Sequence, residues 1–243
     1  MKGALRWIGL MLLALLALQL FFLLRIAAWA TIAPESTTFQ RSEAWRIATE
    51  KHRLPWSQRW VPYEQISDNL KRAVIASEDG SFVWHDGVDW DALEKAWARN
   101  AKAEEQAARR TAVVRPNARP PKIVGGSTIS QQLAKNLLLS GERTLLRKGQ
   151  EFVLTMALER MLSKQRILEI YLNSVEWGEG VFGAEAAAQH YFRKSASRLT
   201  AYEAARLAVM LPQPKRFERT PGSGYLAGRA STIVARMRDA ELP

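Results

Sequence analysis

The sequence predicts an all-α domain that follows one N-terminal transmembrane helix. An apolar run of bilayer length opens the chain, apolar residues recur at helical spacing from about residue 65 onward, and no alternating strand run of useful length occurs. We expect residues 1–31 to hold a cytoplasmic tip and the anchor, 32–60 to form a linker with room for one short helix, and 61–243 to form the domain.

The opening segment has the charge pattern of a membrane anchor. Lys2 and Arg6 precede an apolar run over 7–24 that only Gly9 and Gln19 interrupt. A helix needs about 20 apolar residues to cross a bilayer. Basic residues before such a helix stay on the cytoplasmic side, so we expect the rest of the chain to be exported.

A cleaved signal peptide is the alternative for this segment. Residues 28–30 read Ala-Trp-Ala and resemble a signal-peptidase site. Since the apolar run is longer than the roughly 7–15 residues of a typical signal peptide, we prefer the uncleaved anchor.

Composition narrows the class of partner. The chain has 243 residues, no cysteine, a formal net charge of +11 and a pI of about 10.2. The absence of cysteine excludes thiol catalysis and cysteine metal sites. The positive charge favours a polyanion, which means nucleic acid, anionic lipid headgroups or a phosphorylated substrate. The export anchor argues against nucleic acid.

The first helices of the domain are predicted from spacing and capping residues. Ile66, Leu70 and Val74 recur at about 3.6-residue spacing. Asp89 can cap a second helix that continues to Ala108.

Residues 110–124 differ in character because they are rich in proline and arginine. Prolines stop helices, so the stretch predicts a basic loop without regular structure. It is either a solvated surface loop or a flap that touches lipid headgroups or polymer.

From Ser127 the chain is predicted to be helical nearly to its end. Glycines at 178, 180 and 183 indicate a turn region within this part. The expected helices run through 133–138, 152–161, 163–171 and 184–191, with a last one that Thr200 caps and that ends before Pro212.

The string SEDGSFVWHDG places two adjacent carboxylates, Glu78 and Asp79, where a helix meets a turn. Glycosyl transfer needs a general base to deprotonate an attacking hydroxyl. Phe82 and Trp84 beside Glu78 could raise its pKa toward that task. The alternative is a surface acidic pair with His85 as a hydrogen-bonded core histidine.

The string GGSTISQQLAKN begins with two glycines that permit a sharp turn. Ser127 or Thr128 can cap the helix that follows, and a helix N-terminus attracts anions. The helix would present a polar, cationic face made by Gln131, Gln132, Lys135 and Asn136. The alternative is a capped helix whose polar face is simply solvated.

The string RKGQE places Glu151 one helical turn from Arg147 and Lys148. It is either a set of local salt bridges or a cationic grip on pyrophosphate with Glu151 as a second carboxylate. The string KQRILEIYLN at 164–173 is interpreted mainly as scaffold, and His190 as packing.

Taken together, these strings and the closing LPQPKRF resemble, in the same order, the peptidoglycan glycosyltransferases. The resemblance covers about residues 55–220. It implies a lysozyme-like α-helical fold with a large lobe and a smaller, membrane-associated lobe.

The resemblance also implies residue roles. Glu78 matches the catalytic base that takes the proton from the 4-hydroxyl of lipid II, and Glu151 matches a glutamate that assists at the donor pyrophosphate, directly or through Mg²⁺ or Mn²⁺. The residues that match those neutralising the leaving group are Lys135, Arg147 and Lys148. Those that match positions lining the same cleft are Gln132, Asn136, Ser127 and Thr128. The residues expected to hold Glu78 in place are Asp79 and His85.

The implied reaction transfers the growing undecaprenyl-pyrophosphate-linked glycan to lipid II, with no nucleotide cofactor. No Ser-x-x-Lys pair occurs, so we expect no cross-linking activity. We expect a single-pass inner-membrane protein with a periplasmic catalytic domain, whose partners are lipid II, the nascent strand and division or cell-wall synthesis proteins.

Two other classes remain as alternatives. A lysozyme-like lytic glycosidase would also use a glutamate, as a general acid, but would not need a cationic grip on its leaving group. A non-catalytic membrane-anchored scaffold would have no reason to keep both glutamates with the basic cluster.

Overall fold

The computed structural model describes residues 2–113, 125–142 and 144–243. These residues are predominantly helical, as expected from the sequence. The α-helices among them are α1 Lys2–Ala28, α2 Thr38–Lys51, α3 Asp68–Glu78, α4 Trp90–Val113, α5 Ile129–Leu138, α6 Leu145–Met161, α7 Lys164–Ser174, α8 Ala184–Phe192, α9 Ala201–Met210, α10 Pro214–Glu218 and α11 Gly224–Arg236.

A small sheet accompanies the helices. Strands β1 Ser57–Gln58, β2 Glu176–Gly178 and β3 Val181–Phe182 have the order β1-β3-β2, with β1 parallel and β2 antiparallel to β3. The expected glycine turn region therefore contains two strands. They are too short to show the alternation by which a strand is recognised in a sequence.

Helix α1 is long and apolar enough to cross a membrane. Its C-terminal end packs on the domain, because Ile26 is fully buried and Arg166 Nε donates a 2.8 Å hydrogen bond to the carbonyl oxygen of Trp29. Its one amide side chain, Gln19, contacts Gln150 on α6.

The segment expected as a linker contains packed structure. Thr37 and Gln40 form a capping box that begins α2. The Gln40 amide also donates to the carbonyl of Ser174, and the Thr38 hydroxyl donates to the carbonyl of Leu137 at 3.0 Å. Helix α2 is therefore fixed to α5 and α7 through hydrogen bonds.

Helix α4 extends farther than its sequence pattern indicated. It ends at Val113 rather than at Ala108, so the expected loop is wrong for residues 110–113. The rest of that predicted loop, 114–124, lies outside the described residues.

The predicted caps are present. Asp89 accepts a 2.7 Å hydrogen bond from the backbone N–H of Ala92 at the start of α4. Thr128 and Thr200 cap α5 and α9, each in a capping box. These hydrogen bonds satisfy donors at the first turn that have no partner within the helix.

The core brings the ends of several helices together. Helix α9 packs between α3 and α11, α5 packs on α6 and α7, and the interior includes Phe82, Tyr171 and Trp177. Gly87 permits a close approach at this point, because it has φ +95° and a Cβ there would lie 2.8 Å from Thr155 Cγ2. The C-terminus of α3 and the N-terminus of α5 lie next to each other here, because the N–H of Ile129 donates to Asp79, and α5 packs on α6.

Candidate active site

Glu78 is the last residue of α3 and is partly buried. Its Oε2 accepts a 3.2 Å hydrogen bond from Gln132 Nε2, and its Oε1 accepts a 3.3 Å hydrogen bond from Ser77 Oγ. Burial raises the pKa of Glu78, and these two hydrogen bonds oppose the rise because they favour the charged form. The group is therefore a stronger base than an exposed carboxylate would be.

Gln132 is oriented by a residue that the sequence interpretation placed in the scaffold. The hydroxyl of Tyr171 donates a 2.9 Å hydrogen bond to Gln132 Oε1, which turns the amide nitrogen toward Glu78. Burial raises the pKa of Tyr171 well above its usual value, so it stays a donor. Its sequence signal was a phenol among aliphatic core positions, since a buried hydroxyl needs a partner.

Asp79 is buried and joins two elements. It accepts a hydrogen bond from the backbone N–H of Ile129 at 2.9 Å and lies 2.9 Å from His85 Nε2. The N–H of Gly87 donates to His85 Nδ1, so Nε2 carries the proton and donates to Asp79. Asp79 thereby ties the end of α3, where Glu78 lies, to the start of α5.

Ser127 and Thr128 lie beside Glu78, where they line a small cavity of about 180 Å³. Ser127 is exposed. The Thr128 hydroxyl is buried and donates to the carbonyl of Gly87 at 2.6 Å. The Thr128 side chain therefore caps α5 and holds the backbone at Gly87, whereas the Ser127 side chain faces solvent.

On α6 the predicted salt bridges to Glu151 are present. Arg147 Nη1 lies 2.8 Å from one carboxylate oxygen of Glu151, and Lys148 Nζ contacts the other. Glu151 is buried, Arg147 is 16% exposed and Lys148 is 51% exposed. Arg147 Nε is buried with no hydrogen-bond partner among the described residues. A guanidinium N–H that has no acceptor can donate a hydrogen bond to an incoming anion.

Gln132 and Glu78 line two different cavities. A cleft of about 510 Å³ is lined by the expected residues Gln132, Lys135, Asn136 and Arg147, together with Tyr171 and Glu176. Glu78 lines a separate cavity of about 700 Å³ with Arg216, Tyr225 and Arg229. The hydrogen bond from Gln132 to Glu78 connects the two cavities. Arg216, Tyr225 and Arg229 were not assigned to the site from the sequence. Arg216 lies in LPQPKRF, which supported only the resemblance, and no string of α11 was recognised.

The residues around Glu151 do not fit a resident metal centre. In the described part of the chain, no group of three or more His, Asp or Glu side chains is placed to hold a metal ion. Both carboxylate oxygens of Glu151 already contact the cations of Arg147 and Lys148. The expected dependence on Mg²⁺ or Mn²⁺ stays a prediction.

Comparison with known proteins identifies the class to which this fold and site belong. Residues 47–238 match the family model described as Transglycosylase. The chain is 52% identical to a biosynthetic peptidoglycan transglycosylase of Burkholderia thailandensis, with 100% of this chain and 90% of the relative covered. It is 51% identical to a protein of the same description from Paraburkholderia xenovorans, with 99% and 95% covered.

The chain therefore belongs to the transglycosylase family. Membership confirms the resemblance drawn from the five sequence strings and the prediction of a helical glycosyltransferase.

Proposed function

We propose that the chain polymerises peptidoglycan glycan strands, transferring the growing undecaprenyl-pyrophosphate-linked chain to the 4-hydroxyl of lipid II and releasing undecaprenyl pyrophosphate. The observation that carries the proposal is the hydrogen bond from Gln132 to Glu78. It connects a carboxylate base in one cavity to a cleft lined by Lys135 and Arg147 in the other.

The geometry supports binding of the two substrates in different cavities. The 700 Å³ cavity with Glu78 takes the acceptor saccharide, whose 4-hydroxyl must reach the base. The 510 Å³ cleft takes the donor pyrophosphate, whose charge Lys135 and Arg147 neutralise. Both volumes are in the range of about 300–1,000 Å³ that is usual for ligand sites.

Glu78 removes the proton of the 4-hydroxyl as that oxygen forms a bond to the anomeric carbon of the donor. The bond from this carbon to the pyrophosphate oxygen breaks, and the electron pair leaves with the pyrophosphate. The attack comes from the face opposite the leaving group, so the configuration inverts. Arg147 binds the departing oxygens with its Nε donor, which has no hydrogen-bond partner among the described residues.

We also propose that α1 remains attached as a single-pass anchor in the inner membrane, with the N-terminus cytoplasmic and the catalytic domain periplasmic. Lys2 and Arg6 precede the apolar helix and set this orientation. The contacts of Gln19 with Gln150 and of Trp29 with Arg166 support retention, because removal of α1 and the residues up to Ala30 would leave the Gln150 amide without Gln19 and Arg166 Nε without its acceptor.

The proposal is tested with purified full-length chain and lipid II in detergent with Mg²⁺. We expect lysozyme-sensitive polymer from the wild type, none from Glu78→Gln, and sharply reduced amounts from Lys135→Ala. Glu64→Gln, the same substitution at an exposed glutamate, is the matched control and should match the wild type. The polymer should contain no cross-links.

Two outcomes would overturn the proposal. Cleavage of preformed glycan without any polymer from lipid II would assign a lytic glycosidase. Neither activity, from protein with a normal melting transition, would leave a membrane-anchored scaffold.

A further inference from the structure

Glu176 on β2 is a buried carboxylate in the cleft that the reaction above does not use. Its side chain is 6% exposed and it lines the 510 Å³ cleft. Its Oε1 has no hydrogen-bond partner among the described residues. The Nζ of Lys215 lies 3.5 Å away in an ion-pair contact without hydrogen-bond geometry, and Lys215 donates instead to Glu43.

A buried carboxylate with a purely structural role has a different environment in this protein. Glu185 on α8 is also buried, and its two oxygens accept hydrogen bonds from Gln189, from the Ser195 hydroxyl and from the N–H of Ala196 at 2.8 Å. Leaving a buried acceptor without a donor has a free-energy cost. Glu176 carries this cost in the free protein, and a ligand that supplied a donor would remove it.

The charges around Glu176 do not compensate its burial. Burial raises the pKa of Glu176 to about 7, Lys215 opposes the rise, and Glu43 adds to it by repulsion. The titratable and charged groups that face it are Lys215 and Glu218 on α10, Glu43 and Arg46 on α2, Tyr191 on α8, and Lys135, Glu142 and Arg147 around the cleft.

The cleft thus combines cations with one unsatisfied carboxylate. An anionic group fits beside Lys135 and Arg147, whereas a second anion beside Glu176 would be repelled. A neutral hydrogen-bond donor is what Oε1 lacks. A sugar carried on a pyrophosphate offers both, since its hydroxyl and acetamide N–H groups are donors attached close to the anion.

We propose that Glu176 is a substrate-binding residue whose Oε1 accepts a hydrogen bond from a hydroxyl or amide N–H of the saccharide attached to the pyrophosphate in this cleft. The inference rests on the proposed function, since it assigns the pyrophosphate to Lys135 and Arg147. The ionised carboxylate is the stronger acceptor, so affinity should increase as pH rises through the pKa of Glu176.

The test measures binding of lipid II to the full chain in detergent, in a Glu78→Gln background that prevents turnover, between pH 5.5 and 8.5. We expect the Kd to fall as pH rises through about 7 and to level off roughly one pH unit above the pKa of Glu176. Adding Glu176→Gln should raise the Kd about tenfold at pH 8 and flatten the pH profile.

A second variant separates ligand contact from a structural role. Glu43→Gln removes the negative charge that competes for Lys215 and repels Glu176, so the inflection should move to lower pH. The melting temperature of each variant is measured alongside.

An unchanged Kd and pH profile in Glu176→Gln would overturn the inference, as would a Kd change that only follows lost thermal stability. Absence of polymer from the wild type, with lipid II still bound in the expected pH-dependent manner, would overturn the proposed reaction and leave the Glu176 contact intact.

Discussion

Gln19 and Gln150 exchange two amide hydrogen bonds, at 3.2 and 3.1 Å. Gln19 lies within the apolar helix α1, and Gln150 is the neighbour of Glu151 on α6. A polar side chain in a membrane-spanning helix is unfavourable unless it is paired. In the proposed anchor, we therefore expect the pair to fix the rotation of α1 against the helix that carries Arg147.

A double-mutant cycle tests this contact. We expect Gln19→Leu and Gln150→Leu each to destabilise the chain in detergent by about 1 kcal/mol, because either change leaves the other amide unpaired. The double variant should lose less than the sum of the two. Thermal unfolding provides the measurement, and Gln165→Leu, at an exposed amide on α7, provides the control. Additive losses would show that the two amides do not interact.

Tyr171→Phe should shift the pH dependence of polymerisation. Without the phenol the Gln132 amide is free to rotate, and Glu78 loses the hydrogen bond that lowers its pKa. A general base acts in its deprotonated form, so a higher pKa moves the acid limb of kcat/KM to higher pH. Rates between pH 5 and 8 provide the measurement.

Tyr202→Phe is the control for this change, because Tyr202 is exposed on α9. An acid limb that does not move in Tyr171→Phe would show that Gln132 keeps its orientation without the phenol.

Arg147→Met and Lys148→Met form a matched pair, since each leaves Glu151 with one cation. Arg147 lines the cleft and its Nε has no hydrogen-bond partner in the described part of the chain, whereas Lys148 is half exposed and does not line the cleft. We expect kcat/KM to fall about 100-fold in Arg147→Met, as for the loss of one transition-state donor. The fall in Lys148→Met should be about tenfold smaller because solvent screens an exposed charge. Equal losses would argue that both cations contact the pyrophosphate.

Asp79→Asn should lower both stability and activity. Asp79 accepts hydrogen bonds from His85 Nε2 and from the N–H of Ile129, and an amide in its place must turn a donor toward one of these donors. We expect a loss of about 1–3 kcal/mol in the free energy of unfolding. Asp86→Asn, an exposed neighbour, should change neither quantity. Denaturant unfolding measures the stability, and polymer yield measures the activity. Wild-type values of both in Asp79→Asn would contradict a positioning role for Asp79.

The parts of the fold that were predicted correctly depend on local signals. Thr128 and Thr200 each stand three residues before a glutamine or glutamate, the spacing of a capping box, and both cap as expected. The end of α4 at Val113 was not predicted, because proline and arginine were taken to end the helix at Ala108, whereas arginine and alanine favour helix over 109–113. The strands were missed since two or three residues cannot show a period.

The sequence predicted the residue types of the site but not the hydrogen bonds between them. Glu78 and Gln132 came from separate strings, and their hydrogen bond joins positions 54 residues apart. Tyr171 was assigned to the scaffold because its neighbours on α7 are aliphatic, and only its packing against α5 shows what the hydroxyl does. Glu176 gave no signal at all, since a glutamate in a short loop-like stretch is usually solvated.

The sequence by itself determined the apolar N-terminal helix, the helical class, the family and the acidic and basic residues proposed for the site. These depend on composition, on 3.6-residue spacing and on the order of short motifs, all of which are present in the sequence itself. Only the tertiary structure decided which carboxylates are buried, which cations face the cleft and which donors lack a partner. Burial and hydrogen-bond satisfaction arise when distant segments pack together and exclude water, so no local pattern specifies them.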